Sequence, residues 1–418
     1  NLTHEVKSAL QEDKDNETLV LSRVFGLGGK DFYPEDAQAF FDETLHVLQT
    51  GEIEKAFDYY GVHKGQEENK LEPIITPQTG DVYKTGLIQV TPDEETGKLK
   101  VRIPPIRALM EKPKRLAPGH GACPGCGIFP ALELFFKGIE GDIVALYQTG
   151  CAYVVTTAYP HSSHKQTMIH NLFQNGPATL SGTLEAFLEK KRRGGIDISD
   201  DATFVMITGD GGMDIGMGSA IGTALRNHKL IMLEYDNEGY MNTGSQMSYS
   251  TPIGNMTSTT GVGKGQQGKA FHHKDTPQIM AATGIPYVFT GSEAFPQDLI
   301  KKAAKAQWYA QNVGTVYGKI LITCPLNWKS NERDGTNIME AAVNSCFFPL
   351  YEVERGETSI TYNPEARKKR IELAEWLKYM GKTKHLLKEE NAHLLHEFEE
   401  EVNKRWMKLQ ARHENPAL

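Results

Sequence analysis

Thr208-Gly209-Asp210-Gly211-Gly212 follows an apolar run at 203–207, and a second apolar run, Leu230-Ile231-Met232-Leu233-Glu234, leads into Asn237. Asp210 and Asn237, 27 positions apart, each fall at the carboxyl end of an expected strand, where two side chains of a parallel sheet meet in one crevice. Glycines at 209, 211 and 212 let the backbone approach a ligand closely, and a helix over about 214–227 would aim its first amides at an anion such as a diphosphate. A carboxylate beside an amide oxygen is hard-cation chemistry. Asp210, Asn237 and the Gly239 carbonyl suffice for Mg²⁺, which keeps few protein ligands and takes its other oxygens from substrate phosphates. Gly-Asp-Gly by itself is usually only a tight turn. The strand before it, the helix after it and Asn237 at the matching place make it a candidate site.

Cys123-Pro124-Gly125-Cys126 sets two thiols two residues apart, Cys151 follows Thr149-Gly150, and Cys324 precedes Pro325. Zinc knuckles, redox dithiols and iron–sulfur clusters all use the first spacing. Cys151 and Cys324 each follow an apolar strand-like run, so all four can converge on one edge of a sheet. Cys346, between Ser345 and Phe347, is expected to be a buried spectator thiol. His161, His164, His170, His272 and His273 invite a metal reading, but ordinary structural roles are expected for them.

The elements that must position these residues read as α/β. Apolar runs at 143–147, 203–207, 230–234, 287–289 and 318–322 alternate with helical stretches across about 116–330, the pattern of a parallel sheet. Residues 1–60 read as a helical arm, with helical patterns at 40–48 and 53–60 around a Gly26-Leu27-Gly28-Gly29 turn. Residues 61–115 read as an extended connector with short β-like runs at 87–90 and 99–103 and few core-forming residues. Residues 331–418 read as a connector and a charge-dense helical extension, with a helix start at Asn363-Pro364 and a break near Gly381.

Composition narrows the classes. The 418 residues are 39% hydrophobic and 23% charged, which suits a globular chain and excludes a disordered or fibrous one. A net charge of −8 gives no electrostatic reason to expect nucleic acid or an anionic membrane. No apolar run reaches the roughly 18 to 20 residues of a spanning helix. Five cysteines are too few and too uneven for a disulfide scaffold. With no secretory pattern at the start, a cytoplasmic location is expected.

Gly209-Asp210-Gly211 with Asn237 resembles the signature of thiamine diphosphate enzymes. The resemblance narrows through Tyr240-Met241-Asn242-Thr243-Gly244-Ser245-Gln246-Met247-Ser248 and Thr251-Pro252-Ile253-Gly254, which is similar at every specified position to a segment of the 2-oxoacid:ferredoxin oxidoreductases. It covers about 116–330 and implies that Tyr240, Asn242 and Thr243 line the cofactor, with Asn242 near the reacting carbon. It also implies that Cys123, Cys126, Cys151 and Cys324 hold a [4Fe-4S] cluster, and that His170 and Asn175, in a stretch similar to one near the cofactor, stand at its wall. One departure is Ile128, where many relatives place Glu or His after the Cys-Gly pair.

The same resemblance implies thiamine diphosphate, Mg²⁺ and the cluster as cofactors and coenzyme A as co-substrate. It implies an α subunit that supplies the pyrimidine-binding face and its carboxylate, a γ subunit, and a ferredoxin-like electron-transfer subunit. This chain would then be inactive alone. Val24 to Phe32 is similar to a stretch of those α chains, so the arm would stand in for an α tail. The expected reaction is oxidative decarboxylation of a 2-oxoacid to its acyl-coenzyme A. The long chain with extensions at both ends looks closest to phenylglyoxylate dehydrogenase, with pyruvate, 2-oxoisovalerate and indolepyruvate enzymes as alternatives. A zinc-stabilised scaffold without chemistry is the reading from another class.

Overall fold

The computed structural model describes residues 22–25, 34–53, 57–60, 83–157, 162–194 and 202–418. It divides into two units, one ending at Thr76 and one beginning at Pro77. The Gly26–Gly29 turn, most of the 24–32 stretch and His161 lie outside the described residues.

In the first unit, helix Pro34–Thr50 matches the apolar spacing at 40–48. The helical pattern expected over 53–60 is not what forms. Phe57–Tyr60 is a strand that pairs in parallel with Ser22–Phe25. Its Phe-Asp-Tyr-Tyr sequence is rich in aromatic strand formers, and propensity outweighs a short apparent helical period.

The second unit is built on an eight-stranded sheet, ordered 357–362, 350–354, 287–292, 316–321, 231–236, 203–209, 143–148 and 167–171. The last six of these are parallel. Strands Leu350–Glu354 and Glu357–Tyr362 add antiparallel to the Tyr287–Ser292 edge. The five central apolar runs are therefore strands, as their composition requires of a sheet covered on both faces. Alternation along them divides the core. Leu146, Met206 and Met232 face one layer, while Ala145, Tyr147, Val205, Ile207, Ile231 and Leu233 face the other. Helices Ile128–Lys137 and Pro296–Asn312 cover this second face.

Two stretches differ from the sequence reading. Within 61–115, the described part from residue 83 onward is not an open connector. Gln89–Pro92 and Leu99–Arg102 form an antiparallel hairpin. Tyr83, Leu99, Leu109 and Leu116 are buried, and the Leu99 amide donates to Glu354 Oε1 at 2.6 Å. Beyond 331, the two antiparallel strands precede the helices. Asn363 begins a turn rather than a helix, because its Oδ1 accepts from the amides of Glu365 and Ala366 while the residues that follow are Lys and Arg without an apolar face. Near Gly381 a 3₁₀ stretch, Gly381–Leu387, separates the short helix Leu373–Leu377 from the long helix Ala392–Glu414. Among the described residues, no helix is long and apolar enough to cross a membrane.

Candidate active site

Strand Thr203–Gly209 runs directly into helix Asp210–Arg226, so Asp210 opens the helix at the carboxyl edge of the sheet. Register places Gly209 beside Tyr235 on the neighbouring strand, and Asn237 follows that strand's last residue, Asp236. A cavity of about 190 Å³ opens there. Gly209, Asp210, Gly211, Gly212, Asn237, Gly239, Tyr240, Asn242 and Thr243 line it, as do Gly150, Cys151 and Phe173.

The crevice floor is charged and buried. Ser248 Oγ donates to Asp210 Oδ2 at 2.5 Å, and Lys274 Nζ donates to the Asp210 carbonyl at 2.9 Å and to Asp214 Oδ1 at 2.6 Å. Tyr240 OH donates to Asp214 Oδ2 at 3.0 Å. Lys319 pairs with Asp236 at 2.7 Å. Burial and the charge of Asp236 hold the Asp210 carboxyl above the usual carboxylate range. Against the same burial, Lys319 and Lys274 hold Asp236 below it. Asn237 Oδ1 is buried and has no hydrogen-bond partner. An unsatisfied amide oxygen costs about 1–3 kcal/mol. Beside a carboxylate and a helix N-terminus, such an oxygen fits a hard cation, and the helix amides fit the anion that accompanies it. The glycines are demanded by packing: a Cβ at Gly211 would lie 2.7 Å from the Tyr240 ring, and one at Gly239 2.8 Å from the Gln246 carbonyl.

His170 and Asn175 stand outside this lining. His170 is exposed, stacks on Tyr153 with ring centroids 3.8 Å apart, and meets Thr149 Oγ1 at 2.9 Å. Thr149 does line the cavity. Asn175 is exposed and precedes helix Gly176–Arg192 without a side-chain cap.

The four cysteines come from three segments at the same sheet edge. Cys123 and Cys126 close a turn through Cys126 N–H to the Cys123 carbonyl at 3.1 Å, with Gly125 at φ +72°. Cys151 opens helix Cys151–Val154. Cys324 precedes helix Pro325–Trp328. Thr323 joins the first and last of these segments: its carbonyl accepts from Gly127 N–H at 3.1 Å, and its Oγ1 donates to the Gly125 carbonyl at 3.1 Å. All four thiols are free. Burial pushes the Cys126 and Cys151 thiols up to about 12; the Ile128 amide opposes the rise at Cys126, and the charge of Cys324 adds to it at both. Their charges therefore reach one another, and Cys151 is also reached by Asp210. Among the described residues, no three His, Cys, Asp or Glu side chains converge on a single-ion site.

Some residues here carry no sequence signal. The half-buried Glu293 sets its buried carboxyl beside the Cys126 turn, with Oε1 3.4 Å from the Thr323 amide. Burial raises its carboxyl to about 8, and Oε2 has no partner. Lys274 and Lys319 lie 64 and 83 positions from Asp210 and Asp236 respectively, beyond any local motif. Ile128 points into the core at 1% exposure, so its departure from the family pattern is a packing feature of helix Ile128–Lys137. Cys346 is buried, and Arg370 Nη1 meets its sulfur.

Residues 148–316 match the family model described as the thiamine pyrophosphate enzyme, C-terminal TPP binding domain. The pyruvate synthase subunit PorB of Methanocaldococcus jannaschii is 38% identical over 285 residues, covering 68% of this chain and 94% of that protein. The chain belongs to the 2-oxoacid:ferredoxin oxidoreductase β-subunit family. PorB of Thermotoga maritima is 37% identical over 297 residues, covering 70% of this chain and 90% of that protein. The ketoisovalerate oxidoreductase subunit VorB of Pyrococcus horikoshii is 35% identical over 277 residues, covering 65% and 86%. As a β subunit of this family, the chain is a thiamine diphosphate-binding subunit of a multi-subunit oxidoreductase.

Proposed function

We propose that this chain holds thiamine diphosphate, Mg²⁺ and a [4Fe-4S] cluster side by side, as the β subunit of a coenzyme A-acylating 2-oxoacid oxidoreductase. The observation that carries the reading is Cys151, which lines the same cavity as Asp210 and Asn237 while its thiol feels those of Cys324, Cys126 and Cys123. Asp210, Asn237 and the Gly239 carbonyl hold the cation. The amides of Gly211 and Gly212 meet the diphosphate at the helix N-terminus. Tyr240, Asn242 and Thr243 form the wall toward the reacting carbon, with Asn242 nearest the substrate, and His170 and Asn175 support that wall from outside. Cys123, Cys126, Cys151 and Cys324 hold the cluster; a cubane is larger than one ion and suits thiols that approach one another without meeting at one point. When bound, thiamine diphosphate supplies a carbon centre that stabilises decarboxylation, and the cluster takes electrons one at a time.

The partner subunits are an α chain that completes the pyrimidine face, a γ chain and a ferredoxin-like carrier. Apart from Asp210, which holds the cation, the acids of the described crevice are already paired with lysines, which favours dependence on the α chain for a carboxylate at the pyrimidine ring. Phenylglyoxylate is the acyl substrate to test first, against pyruvate and 2-oxoisovalerate, the types that name the relatives. The deciding experiment measures iron, sulfide, zinc and thiamine diphosphate in the anaerobically purified native complex, with and without Cys151→Ser. Loss of about four irons with retention of thiamine diphosphate is expected. Zinc in place of iron would sink the electron-transfer reading and leave the scaffold reading.

A further inference from the structure

Lys382 lies in the 3₁₀ stretch Gly381–Leu387, beyond the segment that matches the family model. Its ammonium pairs with Glu238 Oε2, and the two side chains are 0% and 1% exposed. Glu238 directly follows Asn237 and holds a left-handed backbone at φ +63°. A non-glycine residue rarely adopts this conformation without tertiary support. The same ammonium lies 4.5 Å from the Trp328 ring. Trp328 is fully buried, donates its indole N–H to the Asn237 carbonyl at 3.0 Å, and through its amide caps the Cys324 carbonyl at 2.9 Å.

One cation thus touches the residue after Asn237 and the aromatic ring that closes the turn after Cys324. We propose that Lys382 is a positioning residue that ties the Asn237 loop to the Cys324 turn, so that the metal–diphosphate crevice and the thiol site are held in register by one buried charge from the C-terminal extension. The inference deepens the two-centre reading above and rests on it for the identity of the centres. Two further observations support the tie. The Lys382 carbonyl accepts from Met256 N–H at 3.2 Å, and Gly381 N–H donates to the Lys329 carbonyl at 3.2 Å, so the lysine is anchored on both sides. At Gly381 a Cβ would lie 2.6 Å from that of Lys329, so the close approach needs glycine. The Cys324 thiol, raised chiefly by burial, is held back by the Asn327 amide and then by Lys382.

Hydrogen exchange on the full chain in its native complex tests the tie. Lys382→Met strands a buried carboxylate, and exchange in segments 237–243 and 324–328 should accelerate together, by about tenfold or more. Should that variant fail to fold, Lys382→Met with Glu238→Gln removes both charges, keeps the shape and should speed both segments by about threefold. Unchanged exchange in either segment, or loosening confined to 373–387, overturns the proposal. Thiamine diphosphate should leave the Lys382→Met complex about tenfold faster, and the midpoint potential of its iron centre should fall, because a positive charge that favours the reduced state is gone. If only one of these two readouts moves, the centres are not tied by Lys382. Absence of thiamine diphosphate or iron from the unsubstituted complex would instead sink the identity of the centres, and the exchange rates would still judge the tie.

Discussion

The crevice at Asp210 and the thiol site at Cys126 share a sheet edge but treat charge in opposite ways. Around the crevice the acids beside Asp210 each have a cation, Lys319 on Asp236 at 2.7 Å, Lys274 on Asp214 at 2.6 Å and Lys382 on Glu238, while Asp210 itself takes the Ser248 hydroxyl. Around the thiols the polar contacts are neutral, made by Thr323 and backbone amides, and the nearby Glu293 carboxyl is itself raised to about 8 by burial. A buried charge needs a partner in place, whereas a buried thiol can wait as the neutral acid until a metal displaces its proton. The crevice is therefore built before its ligand arrives, and the thiol site becomes charged only on loading.

The largest test of that contrast is chemical. With Cys126 and Cys151 pushed up to about 12, the thiolate fraction of the metal-free chain at pH 8 is roughly 10³-fold below that of an ordinary thiol near 8.5. Alkylation at these two positions should be slower by a comparable factor. It should rise about tenfold per pH unit through pH 8 to 11, because the raised value leaves the protonated form dominant until pH approaches 12. Mass spectrometry of each site checks this, and rapid labelling at pH 8 would show a thiol site already charged.

On the crevice side, Asp210→Asn removes the carboxylate from the cation site while Lys274 keeps Asp214 and the backbone carbonyl at 210. Affinity for thiamine diphosphate with Mg²⁺ should fall about 100-fold, measured by calorimetry on the native complex, while iron content stays unchanged. Loss of iron along with the cofactor would mean the two regions are not separable. Tyr240→Phe is milder. Asp214 keeps Lys274 and the Tyr249 amide at 2.9 Å, so losing the phenol at 3.0 Å should weaken the cofactor only about tenfold.

The two regions were also unequally legible. The crevice could be read because its ligands end two strongly apolar strands, and Gly-Asp-Gly marks the strand-to-helix turn within one local unit. Its counter-charges could not, since Lys274, Lys319 and Lys382 approach their acids from 60 to 144 positions away, and only the folded sheet brings them together. Strand Thr167–Asn171 was missed because it is an edge strand with polar ends. The hairpin at 350–362 did carry a signal: alternating Leu-Tyr-Glu-Val-Glu and Glu-Thr-Ser-Ile-Thr-Tyr around Arg355-Gly356, both at positive φ as a tight two-residue turn requires. The charged residues on its alternate positions masked it as connector. The four cysteines gave their spacing and, because two of them end strand-like runs, their common edge.

The smallest effect probes how lightly the thiol loop is pinned. Thr323 Oγ1 donates to the Gly125 carbonyl at 3.1 Å and meets Glu293 Oε1 at 3.4 Å, while its carbonyl receives Gly127 N–H. Thr323→Val keeps the volume and the backbone bond but deletes the hydroxyl, a loss of about 1 kcal/mol for a neutral hydrogen bond. Stability measured by chemical denaturation should fall by about that amount, and Thr323→Ser should restore it. Iron incorporation should slow only modestly, since Gly127 N–H still holds the Cys126 turn against the Cys324 segment. A cost of about 3 kcal/mol or more, the scale of a broken buried ion pair, would mean that the hydroxyl carries a charged partner. Glu293 would then be ionised in the folded chain. The thiol site would carry a buried charge before loading, and the contrast between the two would fail at this residue.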